Sequence, residues 1–160
     1  MSKIKKTWVE KRDCNKEPLV KINPKSWSDM PKGIKMLIPT PKIVDQYVCN
    51  IPKGNFKSVK SLRKDMAVDF DAQMSCPMVT GISLRIISEA SYEEHMLGIK
   101  KITPFWRVVE SSSKLAMKLA CGKHFIREYQ ENEGIDIQGL SWFKNASLEL
   151  KNRLHYVNRI

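Results

Sequence analysis

The middle of the 160-residue chain contains three helical segments separated by short turns, and this pattern most constrains its fold. Thr40-Pro41 is a typical helix start, because a threonine hydroxyl can cap the first turn and proline is tolerated at the first helical position. Apolar residues then recur at three- and four-residue spacing up to Ile51, and Pro52 ends the segment. We therefore predict a first helix that begins at Pro41.

Two further helices follow this one. Ser58 can cap a second helix over residues 59–68, and a third, longer helix is predicted from Cys76-Pro77 to about Leu97. In the second helix we expect an inward face of Leu62 and Met66 and an outward face of Lys60, Arg63 and Lys64. A short helix, a turn and a longer helix form the helix-turn-helix plan, in which the later helix enters a DNA groove.

The third helix has a predicted inner face and outer face. The inner face is assigned to its apolar positions: Val79, Ile82, Ile86, Ile87 and Ala90. The outer face is assigned to polar positions: Ser83, Arg85, Ser88 and Glu89.

The charge of the chain favours an anionic partner. It has 28 Lys and Arg against 17 Asp and Glu, a net charge of +11. Nucleic acid is the first candidate partner and an anionic membrane surface the second. The first 35 residues carry +6 of this charge, and we interpret them as a basic arm. This arm either lays Trp8 and Trp27 on the domain or contacts phosphate, and the two roles are compatible.

Several classes of protein are disfavoured. No run approaches the ~20 apolar residues of a membrane span, and the N-terminus lacks a signal-like apolar core. We therefore expect a cytoplasmic, nucleoid-associated protein. The four cysteines lie far apart without a C-x-x-C motif, which predicts reduced thiols and no zinc, metal or cofactor site.

The segment Ile102–Val109, I-T-P-F-W-R-V-V, combines a proline, two large aromatic residues and an arginine. Pro104 excludes the middle of a helix, so an extended backbone is predicted, with the rings of Phe105 and Trp106 on opposite sides. Such an aromatic ledge beside a cation suits either a corner of the core or a pocket for a planar ligand such as a nucleobase.

Residues 104–109, P-F-W-R-V-V, resemble the active-site segment P-C-H-R-V-V of the O6-alkylguanine-DNA alkyltransferases. Residues 51–54 look like the family's I-P-x-G. The sequence S-L-R-I-I-S-E-A around Arg85 looks like its recognition helix, A-x-R-A-V-G-x-A. Gly122-Lys123 and Glu133-Gly134 are similar to its G-G-L-x-x-K…E-G. The resemblance covers roughly residues 36–137 and only the family's DNA-binding domain.

This resemblance implies a mainly α fold: a winged helix-turn-helix domain over 36–138 with a small β wing. Residues 1–35 would be the basic N-terminal arm and residues 139–160 a C-terminal amphipathic extension. Within the domain, residues 110–113, E-S-S-S, are expected to form the tight turn of the wing.

The departures from the family argue against catalysis. Phe105 stands where the family has its acceptor cysteine, and Trp106 where it has the histidine that activates the cysteine. Alkyl transfer needs a thiolate and a base, which these side chains cannot supply. The chain is similar in kind to the alkyltransferase-like proteins, which bind alkylated DNA without repairing it.

We therefore expect a non-enzymatic monomer that binds alkylguanine-containing duplex DNA and flags damage, with nucleotide-excision repair proteins as candidate partners. Two alternatives stay open. One is a plain winged-helix DNA-binding protein whose pocket is filled. The other is an enzyme that uses a different cysteine, with Cys76 at a helix N-terminus as the first candidate.

The resemblance also assigns candidate site residues. The expected DNA contacts are Asn55, Lys57, Ser58, Lys60, Arg85, Ser88 and Lys114. The expected lesion pocket is formed by Phe105, Trp106, Arg107, Val108 and Glu133. Arg85 would be the finger that enters the duplex, unless the alignment shifts by four and Gly81 takes its place. Glu133 would accept the indole N–H of Trp106 or cap local structure. Val59 replaces a family tyrosine, which weakens base flipping as an inference.

Overall fold

A computed structural model describes residues 3–135. In this part the chain is mainly helical, with one small sheet. In chain order the elements are α1 (Trp8–Arg12), β1 (Leu19–Ile22), β2 (Lys35–Ile38), α2 (Pro41–Cys49), α3 (Val59–Asp69), β3 (Met74–Ser75), α4 (Pro77–Met96), a 3₁₀ turn (Phe105–Arg107), α5 (Lys114–Lys118) and α6 (Gly122–Asn132). The extension predicted over residues 139–160 lies outside the described residues.

The three central helices of the prediction are confirmed. The hydroxyl of Thr40 accepts a hydrogen bond from the backbone N–H of Ile43 at the start of α2. The hydroxyl of Ser58 accepts one from the backbone N–H of Ser61 at the start of α3. The long helix α4 has 20 residues and begins directly after Cys76. Local capping chemistry thus fixes the start of α2 and α3, as the sequence pattern indicates.

The sheet does not lie where the wing was predicted. Its strand order is β1-β2-β3. Strand β1 pairs with β2 in antiparallel orientation, and β2 pairs with β3 in parallel orientation. The predicted wing turn is instead the approach to α5, because the hydroxyl of Ser113 accepts the N–H of Ala116 and caps that helix. The strands come from the N-terminal segment and from the connection between α3 and α4.

The N-terminal segment is built into the fold. The backbone N–H groups of Trp8 and Val9 donate to the carboxylate of Glu93 at 3.4 and 3.0 Å. The guanidinium of Arg12 makes two hydrogen bonds, of 3.0 and 2.8 Å, to Glu94. These contacts hold α1 against the C-terminal half of α4.

The central core joins α2, α3, α4 and β2. Val44 and Val48 of α2, Leu62 and Met66 of α3 and Ile87 of α4 are at most 1% exposed. A second apolar cluster surrounds the 3₁₀ turn and α6, and it includes Phe105, Trp106, Val109, Ala116, Leu119, Ile126 and Ile135.

The faces of α4 differ from the prediction. Ile82 is 55% exposed, while Ser83, Ser88 and Glu89 are buried. Small hydroxyl residues can line a tight interface because their O–H groups bond within the structure, as Ser88 does by donating to the carbonyl of Leu84 at 2.6 Å. Ser83 and Ser88 therefore share the inner face with Ile87 and Ala90, which are buried as predicted, and the prediction is wrong for Ile82.

The prediction that Arg63 faces outward is also wrong. Its side chain is 6% exposed and forms two hydrogen bonds, of 2.7 and 2.8 Å, to the carboxylate of Asp29. It also donates to the carbonyl oxygen of Ser75 at 2.9 Å. Arg63 therefore joins α3 to β3 and to the loop before β2.

None of the helices between residues 3 and 135 is both long enough and apolar enough to cross a membrane.

Candidate functional site

The aromatic segment forms a turn and is not extended. Phe105–Arg107 is a single 3₁₀ turn that follows Pro104. Because of this turn, the rings of Phe105 and Trp106 lie in the same cluster, with their centroids 5.6 Å apart and their planes at 68°. The predicted placement of the two rings on opposite sides is therefore wrong.

Phe105 is a core residue. Its side chain is 0% exposed, and its ring stacks on Phe125 at a centroid distance of 6.0 Å and an angle of 3°. Val108 is 2% exposed and belongs to the central core with α2 and α4. The prediction that Phe105 and Val108 form the floor of a lesion pocket is wrong, because packed side chains cover both.

Trp106 borders an open cleft. Although it is only 5% exposed, it lines a cleft of about 740 Å³ together with Arg107 and Glu133. The ring of Tyr129 from α6 lies against the indole, with centroids 4.2 Å apart. Three of the five predicted pocket residues therefore meet at one cleft, whose wall is aromatic.

Arg107 and Glu133 form an internal ion pair at the base of this cleft. The guanidinium donates to both carboxylate oxygens, at 2.9 and 2.8 Å, and to the carbonyl of Ile51 at 2.6 Å. The N–H of Gly54 donates to the same carboxylate at 3.2 Å. This network ties the turn after α2 to the end of α6. The cation of Arg107 is consequently committed to structure and is not free to contact a ligand.

The carboxylate of Glu133 is held in its charged form. Burial acts to raise the pKa of Glu133, but the hydrogen bonds from Arg107 and Gly54 outweigh it, so the pKa lies below its usual value. The indole of Trp106 lies close enough to favour the charged carboxylate, yet its Nε1–H has no hydrogen-bond partner within residues 3–135. Glu133 therefore acts first as a structural acceptor.

The rim of the cleft is basic. Four lysines line it and form no ion pair among the residues that the structure describes: Lys42, Lys53, Lys100 and Lys101. Asp45 lies among them and accepts a hydrogen bond of 2.6 Å from the hydroxyl of Thr103. Burial raises the pKa of Asp45 despite this hydrogen bond. The cleft therefore offers unpaired lysines beside an aromatic wall, and its lining also includes the carboxylates of Asp13 and Glu94.

Most of the predicted DNA contacts are on the surface. Four of them are exposed and, in residues 3–135, belong to no ion pair: Asn55, Lys60, Arg85 and Lys114. Ser58 is exposed and caps α3, whereas the ammonium of Lys57 pairs with Asp65. Ser88 is 1% exposed, so its assignment as a DNA contact is wrong.

The predicted finger has a partner inside the protein. The guanidinium carbon of Arg85 lies 5.7 Å from the ring centroid of Trp8, within the range of a cation–π contact. One turn earlier, Gly81 is half-buried, and a Cβ added there would meet no atom within 4 Å. Both alignments therefore leave space on the outer face of α4, but Arg85 must leave Trp8 to enter a groove.

The sequence pattern missed the apolar part of this outer face. Met78 and Ile82, one helical turn apart, are 63% and 55% exposed. A signal was present in the sequence, because Thr80, Ser83 and Ser88 fall within one half of the helix circumference and are compatible with a closely packed inner face. The larger apolar side chains of Met78 and Ile82 are then left facing outward.

Three of the four cysteines are poor candidates for a replacement nucleophile. Cys76 is 3% exposed and packs with Met30 and Met36, which argues against this cysteine as the nucleophile. Burial raises the pKa of Cys121 to about 11 and also raises that of Cys49. A thiolate is the reactive form, so both thiols are poor nucleophiles at neutral pH. The described part of the chain contains no cluster of three potential metal ligands.

No protein-family model, no curated protein and no solved structure matches this chain.

Proposed function

We propose that this chain is a non-enzymatic protein that binds duplex DNA through a variant of the winged helix-turn-helix, formed by α3 and α4. The binding surface comprises the turn before α3, the exposed side of the N-terminal part of α3, and the outer face of the N-terminal half of α4. In this respect the protein would resemble the alkyltransferase-like proteins.

The observation that carries the proposal is the open outer face of α4. This face presents Met78, Ile82 and Arg85 on consecutive turns of a helix that follows α3. Proteins that bind the minor groove commonly insert apolar side chains between base steps and place arginine beside them. The exposed methionine and isoleucine, which are costly on a free surface, are accounted for by such insertion.

The charges near this surface support phosphate binding. Asn55, Ser58 and Lys60 lie together in the chain at the turn and first residues of α3, and all are exposed. Lysine ammonium groups that carry no internal ion pair can replace the counterions of the DNA backbone, and each phosphate they neutralise adds salt-dependent affinity. The net charge of +11 agrees with this mode of binding.

The absence of catalysis is inferred from the position of the family's acceptor cysteine. Phe105 occupies this position, and its ring is sealed between Phe125 and the rest of the second apolar cluster. A phenyl ring cannot attack an alkyl carbon. The filled position also favours binding of duplex DNA without a base pocket at Phe105, so we propose similar affinity for alkylated and unmodified duplexes.

A second candidate function, reading of an alkylated base, is favoured by the cleft beside Trp106. Aromatic side chains and unpaired lysines together suit a base with its phosphate. The cleft has both, in the pair formed by Trp106 and Tyr129 and in its basic rim. On this proposal the protein would flag the lesion for nucleotide-excision repair proteins.

Fluorescence anisotropy of a labelled duplex at several salt concentrations tests the first proposal. Lys60→Ala should lower the slope of log affinity against log salt by about 1, whereas Lys123→Ala, at an exposed lysine of α6, should not. Ile82→Ala should weaken binding at every salt concentration without changing the slope. Val68→Ala, which trims a 73% exposed residue at the far end of α3, is its control. Equal binding by all four variants would refute the proposed surface.

The second candidate is tested with an O6-methylguanine duplex and its unmodified twin. Trp106→Phe keeps an aromatic ring but removes the indole N–H. If the cleft reads the lesion, the wild-type protein prefers the methylated duplex and this variant loses part of that preference. Equal affinity of the wild-type protein for both duplexes excludes this function and leaves the first proposal intact.

A further inference from the structure

A second cleft, distinct from the proposed DNA surface, lies between α1 and the C-terminal half of α4. It measures about 640 Å³, and its walls are mainly apolar. Its apolar lining residues are Trp8 and Val9 of α1, Tyr92 and Met96 of α4, and Leu97 and Ile99 after α4. This volume lies within the range typical of small-molecule sites. We call it the α1–α4 groove.

Three carboxylates line the α1–α4 groove, and two of them already have strong partners. Glu93 accepts the backbone N–H groups of Trp8 and Val9, and Glu94 is paired with Arg12. The third carboxylate, that of Glu89, is different. It is 5% exposed, and its two oxygens share a single backbone N–H, that of Ala120, at 3.3 and 3.4 Å.

The carboxylate of Glu89 therefore has unused acceptor capacity. A carboxylate has about four lone-pair positions, and a buried one is normally paired or multiply hydrogen-bonded. Glu89 forms no salt bridge in residues 3–135; Arg85, one turn before it, lies over Trp8 instead. Burial raises the pKa of Glu89 above its usual value, which agrees with this shortage of donors.

We propose that the α1–α4 groove binds a small organic cation that has a flat apolar body and an amidinium or ammonium group. The apolar body lies between Trp8 and Tyr92, and the cationic N–H groups donate to the carboxylate of Glu89. Such a ligand supplies the missing donors and removes apolar wall from water at the same time. This proposal does not rest on the proposed function, although Trp8 also contacts Arg85 of the proposed DNA surface.

Benzamidine is a suitable probe because it joins a phenyl ring to an amidinium group. The experiment is a titration of the ¹⁵N-labelled full chain followed by amide chemical shifts. The amide of Ala120 should move on saturation, since its hydrogen-bond acceptor is the carboxylate that receives the ligand. Benzamide, which has nearly the same shape and no charge, should bind more weakly. Absence of a shift at Ala120 would overturn the proposal.

Variants separate the charge from the apolar groove. Glu89→Gln can still accept the N–H of Ala120 but has no charge, and it should weaken benzamidine binding about tenfold or more. Glu110→Gln, at an exposed acid elsewhere, should bind as the wild type does. Equal binding by Glu89→Gln would show that the carboxylate is not recognised and would overturn the proposal.

A second variant keeps the test valid if Glu89→Gln fails to fold. Met96 is 67% exposed on the groove wall, so Met96→Lys should leave folding intact. Its ammonium competes for the carboxylate and repels the probe, and it should reduce benzamidine binding. Unchanged binding by this variant would contradict the proposed site.

Discussion

Replacement of Phe105 by alanine distinguishes a core residue from the floor of an open pocket. Phe105 is 0% exposed, packs in the second apolar cluster and stacks on Phe125. Truncation of such a side chain removes its transfer free energy and leaves a cavity, at a cost of about 3–5 kcal/mol. At about 2–4 °C per kcal/mol for a chain of this size, Tm should fall by roughly 6–20 °C.

Urea unfolding followed by far-UV circular dichroism measures this loss as a change in the free energy of unfolding. Phe105→Leu should cost less, because leucine fills more of the cavity. Val59→Ala, at an exposed position, should stay within about 0.5 kcal/mol of the wild type. A loss below about 1 kcal/mol for Phe105→Ala would refute the sealed position, because only a solvent-lined floor tolerates the change so easily.

Three further predictions concern stability and reactivity. Arg63→Ala should destabilise the protein by about 2–3 kcal/mol, because the carbonyl of Ser75 loses its buried donor and Asp29 loses its partner. Lys64→Ala, on the exposed face of α3, should have almost no effect. Equal unfolding midpoints of the two variants would count against the buried pair. The pKa of Glu133 is lowered in the folded state, so its contribution to stability is present above the unfolded pKa of 4.5 and is lost as pH falls through the folded pKa. Glu133→Gln should therefore flatten the acid side of a plot of stability against pH. Parallel curves for the variant and the wild type would contradict this. Cys121, with a pKa of about 11, should be only about 0.1% thiolate at pH 8. Peptide mapping should therefore find it largely unmodified by iodoacetamide in the folded protein. Rapid labelling of Cys121 would be inconsistent with its burial.

Local signals were sufficient to predict the three central helices. The caps at Thr40 and Ser58 act within one turn of the chain, so their effect can be read from neighbouring residues. The bounds of α2, α3 and α4 follow the predicted positions closely for this reason. The exposure of Arg85 and the burial of Leu62 and Met66 were also predicted correctly.

The side-chain orientations that were predicted wrongly have different physical causes. Arg63 reads as a surface residue until Asp29, 34 positions earlier in the chain, is brought to it. Ser88 was predicted to lie on the outer face because it is polar, but its hydroxyl donates a hydrogen bond within α4 and the side chain can be buried. The predicted placement of Phe105 and Trp106 on opposite sides was wrong because a 3₁₀ turn, and not a strand, follows Pro104. On α4, the sequence pattern placed Ile82 on the inner face, whereas the fold leaves it exposed.

Binding of an O6-methylguanine duplex and of its unmodified twin, with intact-mass analysis of the protein afterwards, tests the central claim most directly. We predict salt-dependent binding of both duplexes with similar affinity and an unchanged protein mass, because the buried ring of Phe105 carries no nucleophile and leaves no base pocket at that position. No binding to either duplex, or a methyl group transferred to any of the four cysteines, would contradict this account.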